Sequence, residues 1–439
     1  MTRFRLSNAR MASAVLLLTP LLGFAFHRSD SEPGCDPGNG GITLPAGFCA
    51  TVFADRVGIA RHMVVAPNGD LFVNLNSGSS ASRVRHIAPE RARGALLALR
   101  DTNADGHADL QYWNTNLGGS TGIALAAGWL YFTTPETVQR VRWSGSSLGV
   151  DGAPDTLVYG MPNQPGHGSK SIALDDSGYV FVGVGSASNA CRASRTSTAP
   201  DPCPEMGVRS GIWRYRADRL RQHHPEDGIR WATGVRNAVA ITWSRELRGL
   251  YALSHGRDGL YQNFPQYYSM QDGAEKPAEE LFRVERGDDY GWPYCYYDPL
   301  QRRKVLAPEY GGNGTEVGRC AQAKDPLFGF PGHWAPNGIL IYTGTQFPEK
   351  YRGGAFIAFH GSWNRMPLPE AGYNVTFVPF RNGRPSGPFE IFANGFAADS
   401  LEPILAKYRP MAFAQDRDGA LYLSDDQEGR IWRIQYRPR

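Results

Sequence analysis

The chain has 439 residues, a formal net charge of +4, 12% aromatic residues, 51 glycines and 31 prolines. So small a charge on so long a chain, with no Lys/Arg cluster interleaved with stacking aromatics, argues against a nucleic-acid binder. No heptad-like run occurs, and the dense Gly and Pro punctuation suits many short strands joined by turns.

In chain order, Arg3, Arg5 and Arg10 precede an apolar run from Met11 to Phe26, with small residues at Gly23 and Ala25. The run is too short and too weakly apolar for a membrane span, and stable membrane insertion is not expected. Residues 1–25 read as a secretory signal peptide, with an uncleaved anchor as the alternative; 26–43 read as an N-terminal extension and 44–439 as one folded domain. The expected location is periplasmic or secreted. Six cysteines fall into local pairs, Cys35 with Cys49, Cys191 with Cys203 and Cys295 with Cys320. Behind an export signal an even count implies disulfides, and proximity in sequence alone selects this pairing among the fifteen possible.

A strand–turn–strand unit then recurs: VVAPNGDLFVNL at 64–75, IALAAGWLYFT at 123–133, IALDDSGYVFVGVG at 172–185, ITWSRELRGLYAL at 241–253, the segment 339–359, and MAFAQDRDGALYLSD at 411–425. Each turn carries Gly where a hairpin needs positive φ. Companion strands of alternating apolar and charged residues are expected at 82–87, 138–143, 211–216, 280–285, 373–380 and 429–434. Six such units predict an all-β fold, a six-bladed β-propeller of four-stranded blades. The longest gap, holding Cys295 and Cys320, predicts an inserted excursion between blades four and five.

Polar residues interrupt the apolar strand ends at five places, and a sixth segment, 101–109, is metal-like. His167, between Gly166 and Gly168, is sterically open at a strand entry and suits a general base; a surface-turn histidine is the alternative. Arg236 and Asn237 supply a fixed cation and an amide, suited to a carboxylated or quinonoid ligand. The turn His255-Gly256-Arg257-Asp258-Gly259 exposes carbonyl oxygens of the kind calcium prefers, with Asp258 shaping the turn or adding an oxygen. His333, Trp334 and Asn337, with His360, Trp363, Asn364 and Arg365, cluster aromatics able to sandwich a flat cofactor, or simply to pack under the excursion. Lys407 and Arg409 flank Tyr408 at strand spacing, so both should point the same way, to clamp anionic groups or stabilise charge on a reduced cofactor; a solvated pair is the alternative. Asp101, Asn103, Asp105 and Asp109, with Gly106 at the sixth place, match the start of a calcium loop, but Tyr112 stands where its bidentate glutamate belongs.

Taken together, GVRNAV, GRDGL, YGWPYC, HWAPNG, HGSWNR and KYRPM, in this order, resemble the soluble quinoprotein glucose/sorbosone dehydrogenases over residues 44–434. The resemblance implies a six-bladed propeller holding pyrroloquinoline quinone (PQQ) and Ca2+ at the channel mouth. It implies that His167 takes the hydroxyl proton and that Arg236 and Asn237 contact the quinone oxygens. Main-chain oxygens of Gly256 and Arg257 would bind calcium, and Lys407 and Arg409 would hold a cofactor carboxylate. The chain departs from glucose-oxidising members, which have Gln-Gly-Pro at 255–257 and a lysine in the HGSWNR segment. Arg365 would substitute for that lysine, and His333 or Trp334 would meet the substrate.

The expected activity is oxidation of a sugar or polyol by hydride transfer to the quinone. Electrons would pass to an external acceptor, a cytochrome or a quinone, since no CxxCH haem motif occurs in the sequence. A calcium-dependent propeller lactonase and a non-catalytic carbohydrate-binding propeller remain as alternatives.

Overall fold

A computed structural model describes residue 1 and residues 34–77, 94–163, 166–192 and 198–438. The innermost strands, Ala60–Val65, Ile123–Ala126, Ile172–Leu174, Ala240–Ser244, Pro336–Ile341 and Pro410–Gln415, touch their neighbours in sequence order and close into a ring. Each opens an antiparallel blade of at least four strands. The second strands, such as Leu71–Leu75 and Ala355–Phe359, are buried throughout because blades pack on both faces. That is why they read as nearly continuous apolar runs. Outer strands keep a wet face, as in Leu110–Asn114.

Blade six takes its outer strand from the other end of the chain. Phe48–Ala54 pairs antiparallel with Ile431–Tyr436, Phe48 opposite Tyr436. The ring thereby closes through a hydrogen-bonded ladder. Behind it, Phe48 meets Phe347, Tyr351 and Phe392 edge-on, knitting blade six to blade five. Burying aromatics of this size stabilises by about 1.5–3 kcal/mol each.

Two expectations change. The companion strand expected at 82–87 lies outside the described residues, and the third strand of blade one is Ala95–Arg100, with Leu71 opposite Leu99. Its ALLALR sequence favours helix by propensity, and the blade's packing overrides it. The excursion belongs within blade four rather than between blades four and five: residues 285–327 separate that blade's strands Glu279–Val284 and Phe328–Phe330. A second segment, 255–278, carries the short helices Leu260–Asn263 and Met270–Glu275 over the mouth. The two segments meet where Tyr268 Oη lies 3.0 Å from Tyr296 Oη.

Disulfides join Cys35–Cys49, Cys191–Cys203 and Cys295–Cys320, the expected pairs. They anchor the first outer strand, the loop after blade three's second strand, and the excursion. Residues 2–25 of the expected leader lie outside the described residues. Among the described residues, no helix is long and apolar enough to cross a membrane.

Candidate active site

In every blade the first strand starts, and the second strand ends, at the same mouth of the ring. The interrupted strand ends therefore converge there, around a cavity of about 240 Å³. His167, Arg236, Asn237, Gly256, Asp258, His333 and Arg409 all line it.

His167 has φ +45° and stands against Gly185, where an added Cβ would fall 2.7 Å from His167 Cβ and 2.8 Å from Asn237 Oδ1. Its Nδ1 lies 2.9 Å from Ser186 Oγ and 3.1 Å from Ser186 O. Ser186 Oγ spends its own hydrogen on Ser188 O at 2.6 Å. Both oxygens facing Nδ1 are therefore acceptors, so Nδ1 carries the proton and Nε2 keeps its lone pair. Burial first, then repulsion from Arg236 and His255, pushes the imidazole down to about 3. It is neutral at physiological pH.

Arg236 is buried and paired with Asp258, Nη2 to Oδ2 at 2.9 Å. Asp258 Oδ1 accepts from Asn364 Nδ2 at 2.5 Å and faces His333 Nδ1 at 3.4 Å. Burial opposes the carboxylate charge, but Arg236 and His333 outweigh it and hold Asp258 well below the usual carboxylate range. For His333, burial likewise opposes charge. Asp258 nevertheless raises its pKa, and Nε2 donates to Gly273 O at 3.0 Å. Asn237 Nδ2 donates to His255 Nδ1 at 3.3 Å, while His255 Nε2 donates to Pro336 O at 3.0 Å. Across the mouth, Arg409 donates to His360 O at 2.9 Å and Gly361 O at 2.8 Å, and His360 Nε2 donates to Asp426 Oδ1 at 2.6 Å.

Other expected residues stand elsewhere. The Arg257 side chain turns from the cavity to pair with buried Glu309. Trp334 packs edge-on against Phe359 and Phe389. Arg365 is buried, donating to Ala274 O, Gly332 O and Pro369 O. Lys407 is exposed, its Nζ 5.3 Å from the Tyr408 ring centroid. The 101–109 loop follows blade one's third strand and so lies at the opposite end of the ring. There Asp101 Oδ2 accepts Gly106 N, Asn103 donates to Asp105, and Asp109 accepts Thr102 N. Among the described residues, no three His, Cys, Asp or Glu side chains are disposed to hold a metal.

Sequence reading missed three contributors. Glu279 lines the cavity and accepts Gly256 N at 2.9 Å and Ala335 N at 3.2 Å; burial raises it to about 7. It stands just before the strand expected at 280–285, and the sequence reading gave it no role. Asn189 Oδ1 accepts from Arg236 Nη2 and Asp258 N, and Ser186 orients His167. Both follow an apolar strand, and proximity to Cys191 was the one available signal.

A family model described as TrAA12-like matches residues 42–437. An uncharacterized protein of Borreliella burgdorferi is 29% identical over 213 residues, 47% of this chain and 48% of that one. A pyrroloquinoline quinone-dependent pyranose dehydrogenase of Coprinopsis cinerea is 25% identical over 242 residues, 46% of this chain and 30% of that one. The chain thus spans half or less of the length of these relatives. Two solved structures share the fold at a TM-score of 0.70, each covering 90% of this chain and 97% of its own. They are the holo PQQ domain of the Coprinopsis cinerea pyranose dehydrogenase, 19% identical, and a calcium structure of the Trichoderma reesei family AA12 enzyme, 20% identical.

Proposed function

The chain belongs to the TrAA12-like family, and from that premise and the geometry of the mouth we propose that it oxidises a sugar with pyrroloquinoline quinone and calcium as cofactors. The observation carrying this reading is His167: a neutral imidazole with its Nε2 lone pair free, in a cavity it shares with Arg236 and Arg409. The Coprinopsis cinerea relative with a PQQ-bound propeller supports the cofactor, and the calcium structure of the Trichoderma reesei enzyme supports the ion.

The residues present fit such a group. Arg236, Arg409 and Asn237 are donors suited to the carboxylates and carbonyls of a flat quinone. Asn337, 5% exposed on the cavity wall, has a buried Oδ1 with no partner among the described residues, an acceptor awaiting an N–H or O–H. No donor among the described residues bonds the main-chain carbonyls of Gly256 or Arg257, so both oxygens are free for a hard cation. Glu279 holds the Gly256 N–H and keeps that turn in shape. When bound, the quinone supplies the electrophilic carbon that accepts hydride.

The chain's own residues do the rest. His167 Nε2 takes the hydroxyl proton of the sugar as the hydride leaves, and Ser186 keeps the tautomer that makes this possible. Arg236, fixed by Asp258 and Asn189, faces the charge that develops on reduction. Asp258, His333 and Asn364 hold the Gly256 turn against that arginine. Lys407 and Arg365 have no part in the cavity as we read it. Residues 1–25 act as the export leader, the enzyme works in the periplasm or outside the cell, and electrons pass to a separate cytochrome or quinone. Aldose or sorbosone-type specificity belongs to this proposal as well.

Reconstitution tests it. Purified protein with PQQ and Ca2+ should show a bound-quinone absorbance and reduce a redox dye on addition of a reactive aldose. His167→Gln should keep the absorbance and lose about 10²–10⁴ in rate. Absence of bound quinone, with lactone hydrolysis in calcium alone, would overturn the reading.

A further inference from the structure

We infer that Glu205 is the positioning residue of the proposed base. It holds the 186–188 loop and, through the Ser186 hydroxyl, sets which nitrogen of His167 carries the proton. This rests on the reading above that His167 takes the substrate proton.

Ser186 does not choose its own direction. A serine hydroxyl has one hydrogen and rotates to the acceptor that suits it. Turned to Ser188 O, at 2.6 Å, Oγ faces His167 Nδ1 as an acceptor, and the lone pair stays at Nε2. Turned to the imidazole, the same hydroxyl would donate to Nδ1 and send the ring proton to Nε2, where it disables the base. Ser186 O favours the first state too, but at 3.1 Å it is the longer contact. The place of the Ser188 carbonyl therefore decides the tautomer.

Glu205 fixes that place. Its Oε2 accepts Ala187 N at 2.6 Å and Ser188 N at 3.2 Å, and its Oε1 accepts the Ser188 hydroxyl. Two successive main-chain N–H groups and a hydroxyl thus close on one carboxylate. Bonds to an ionised acceptor are roughly twice as strong as neutral ones. With both peptide units before Ser188 and its side chain pinned, its carbonyl has little freedom left.

The carboxylate is anchored in turn. Glu205 lies on the 3-10 helix Pro204–Gly207, and its main-chain O accepts Val208 N at 3.2 Å and Arg209 N at 2.9 Å. Cys203, at the cap of that helix, is bonded to Cys191, whose N–H donates to Ser188 Oγ at 2.8 Å. The disulfide brings the helix carrying Glu205 back over the loop it holds. At the loop's other end, Ser186 N donates to Arg236 O at 2.8 Å. Little reordering is left to the moment of reaction.

The test reads the imidazole directly. The full chain, labelled with 15N-histidine, is examined by NMR without cofactor and with PQQ and Ca2+; His167→Gln assigns the signals. In wild type Nε2 should show the shift of a bare nitrogen and Nδ1 that of an N–H. Glu205→Met strips all three bonds and should mix the tautomers. It should also lower kcat by roughly 10–100-fold, with KM and the bound-quinone absorbance unchanged. Glu205→Gln keeps an oxygen for the two N–H groups and should recover most of the rate. In a Ser186→Ala background Glu205→Met should cost little more, because both act through one hydroxyl. Additive losses, or quinone affinity falling together with the rate, would make Glu205 a general support of the loop and overturn the inference. So would a wild-type His167 with its proton on Nε2. Should the Met variant not fold, Glu205→Asp withdraws the carboxylate by one methylene, and a tautomer unchanged in it would equally reject the role. A wild type that binds no quinone defeats the dehydrogenase reading alone, since spectra of the cofactor-free proteins still compare the tautomers.

Discussion

Asn189 and Asp258 bind each other as two paired strand residues would: Asn189 Oδ1 accepts the Asp258 N–H at 2.8 Å, and Asn189 Nδ2 donates to Asp258 O at 2.8 Å. The same Oδ1 accepts from Arg236 Nη2 at 3.0 Å. One amide thus locks the proposed calcium turn of blade four to the cation that leads into it. Asn189→Ala removes all three bonds while the main-chain bonds to Arg236 Nε and Trp292 Nε1 persist. Outer-shell losses of this kind cost roughly 10–100-fold in metal affinity. Calcium titration in the presence of PQQ, read by thermal shift, should show that loss, and Asn189→Asp, which keeps the acceptor, should fall between the two.

The buried histidines set an acid limit on stability. His167 is pushed down to about 3, and His62, His255 and His360 to about 4, burial being the first cause in each. Unfolded histidine titrates near 6.5. Between those values the unfolded chain binds protons that the folded chain refuses, so stability falls as pH drops below about 6.5. Each group contributes up to about 1.4 kcal/mol per pH unit in that window. Urea unfolding of His167→Gln should show a slope shallower by up to that amount between about pH 4.5 and 6, and an unchanged slope above about pH 7. An equal slope in the two proteins would mean His167 is not held neutral by the fold.

Lys407 and Arg409 look equivalent in KYRPM, and the structure separates them. Arg409 lines the cavity and is braced by two carbonyls of blade five, whereas Lys407 is exposed over Tyr408. Arg409→Ala should weaken PQQ binding by about tenfold or more, and Lys407→Ala should leave it within about twofold, because an exposed cation contributes little. Spectrophotometric titration of the apoprotein with the quinone decides it. Equal losses would restore Lys407 to the site.

What the sequence made legible follows from period and punctuation. The hairpins could be read because each inner strand is short, apolar and closed by a glycine turn, and the mouth could be read because polar residues broke those strands at matching ends. ALLALR could not, since its composition favours helix and only the neighbouring Leu71–Leu75 makes it a strand. Glu279 and Asn189 were hidden for another reason. Their roles lie in bonds to main-chain groups far away in sequence, and residue type alone carries no mark of them. Arg365 differs in the opposite sense: its type and motif suggested a ligand contact, and the structure buries it under the mouth on main-chain carbonyls.

That last placement yields a sharp prediction. Arg365 Nη1 donates to Gly332 O at 2.7 Å and Ala274 O at 3.1 Å, and Nε donates to Pro369 O at 3.3 Å. These carbonyls belong to the turn before His333, the end of the helix Met270–Glu275 and the 361–371 loop, so one guanidinium ties that helix to two segments that line the cavity. Arg365→Met fills much of the volume but strands two buried acceptors, Gly332 O and Ala274 O, at a cost on the order of 2–4 kcal/mol. Arg365→Lys should recover only part, since a single ammonium cannot copy a fork that reaches three carbonyls. Chemical denaturation should rank wild type above Lys above Met. A Met variant as stable as wild type, with PQQ affinity lost instead, would show that Arg365 is a cofactor ligand after all and that the segments it joins need no such tie.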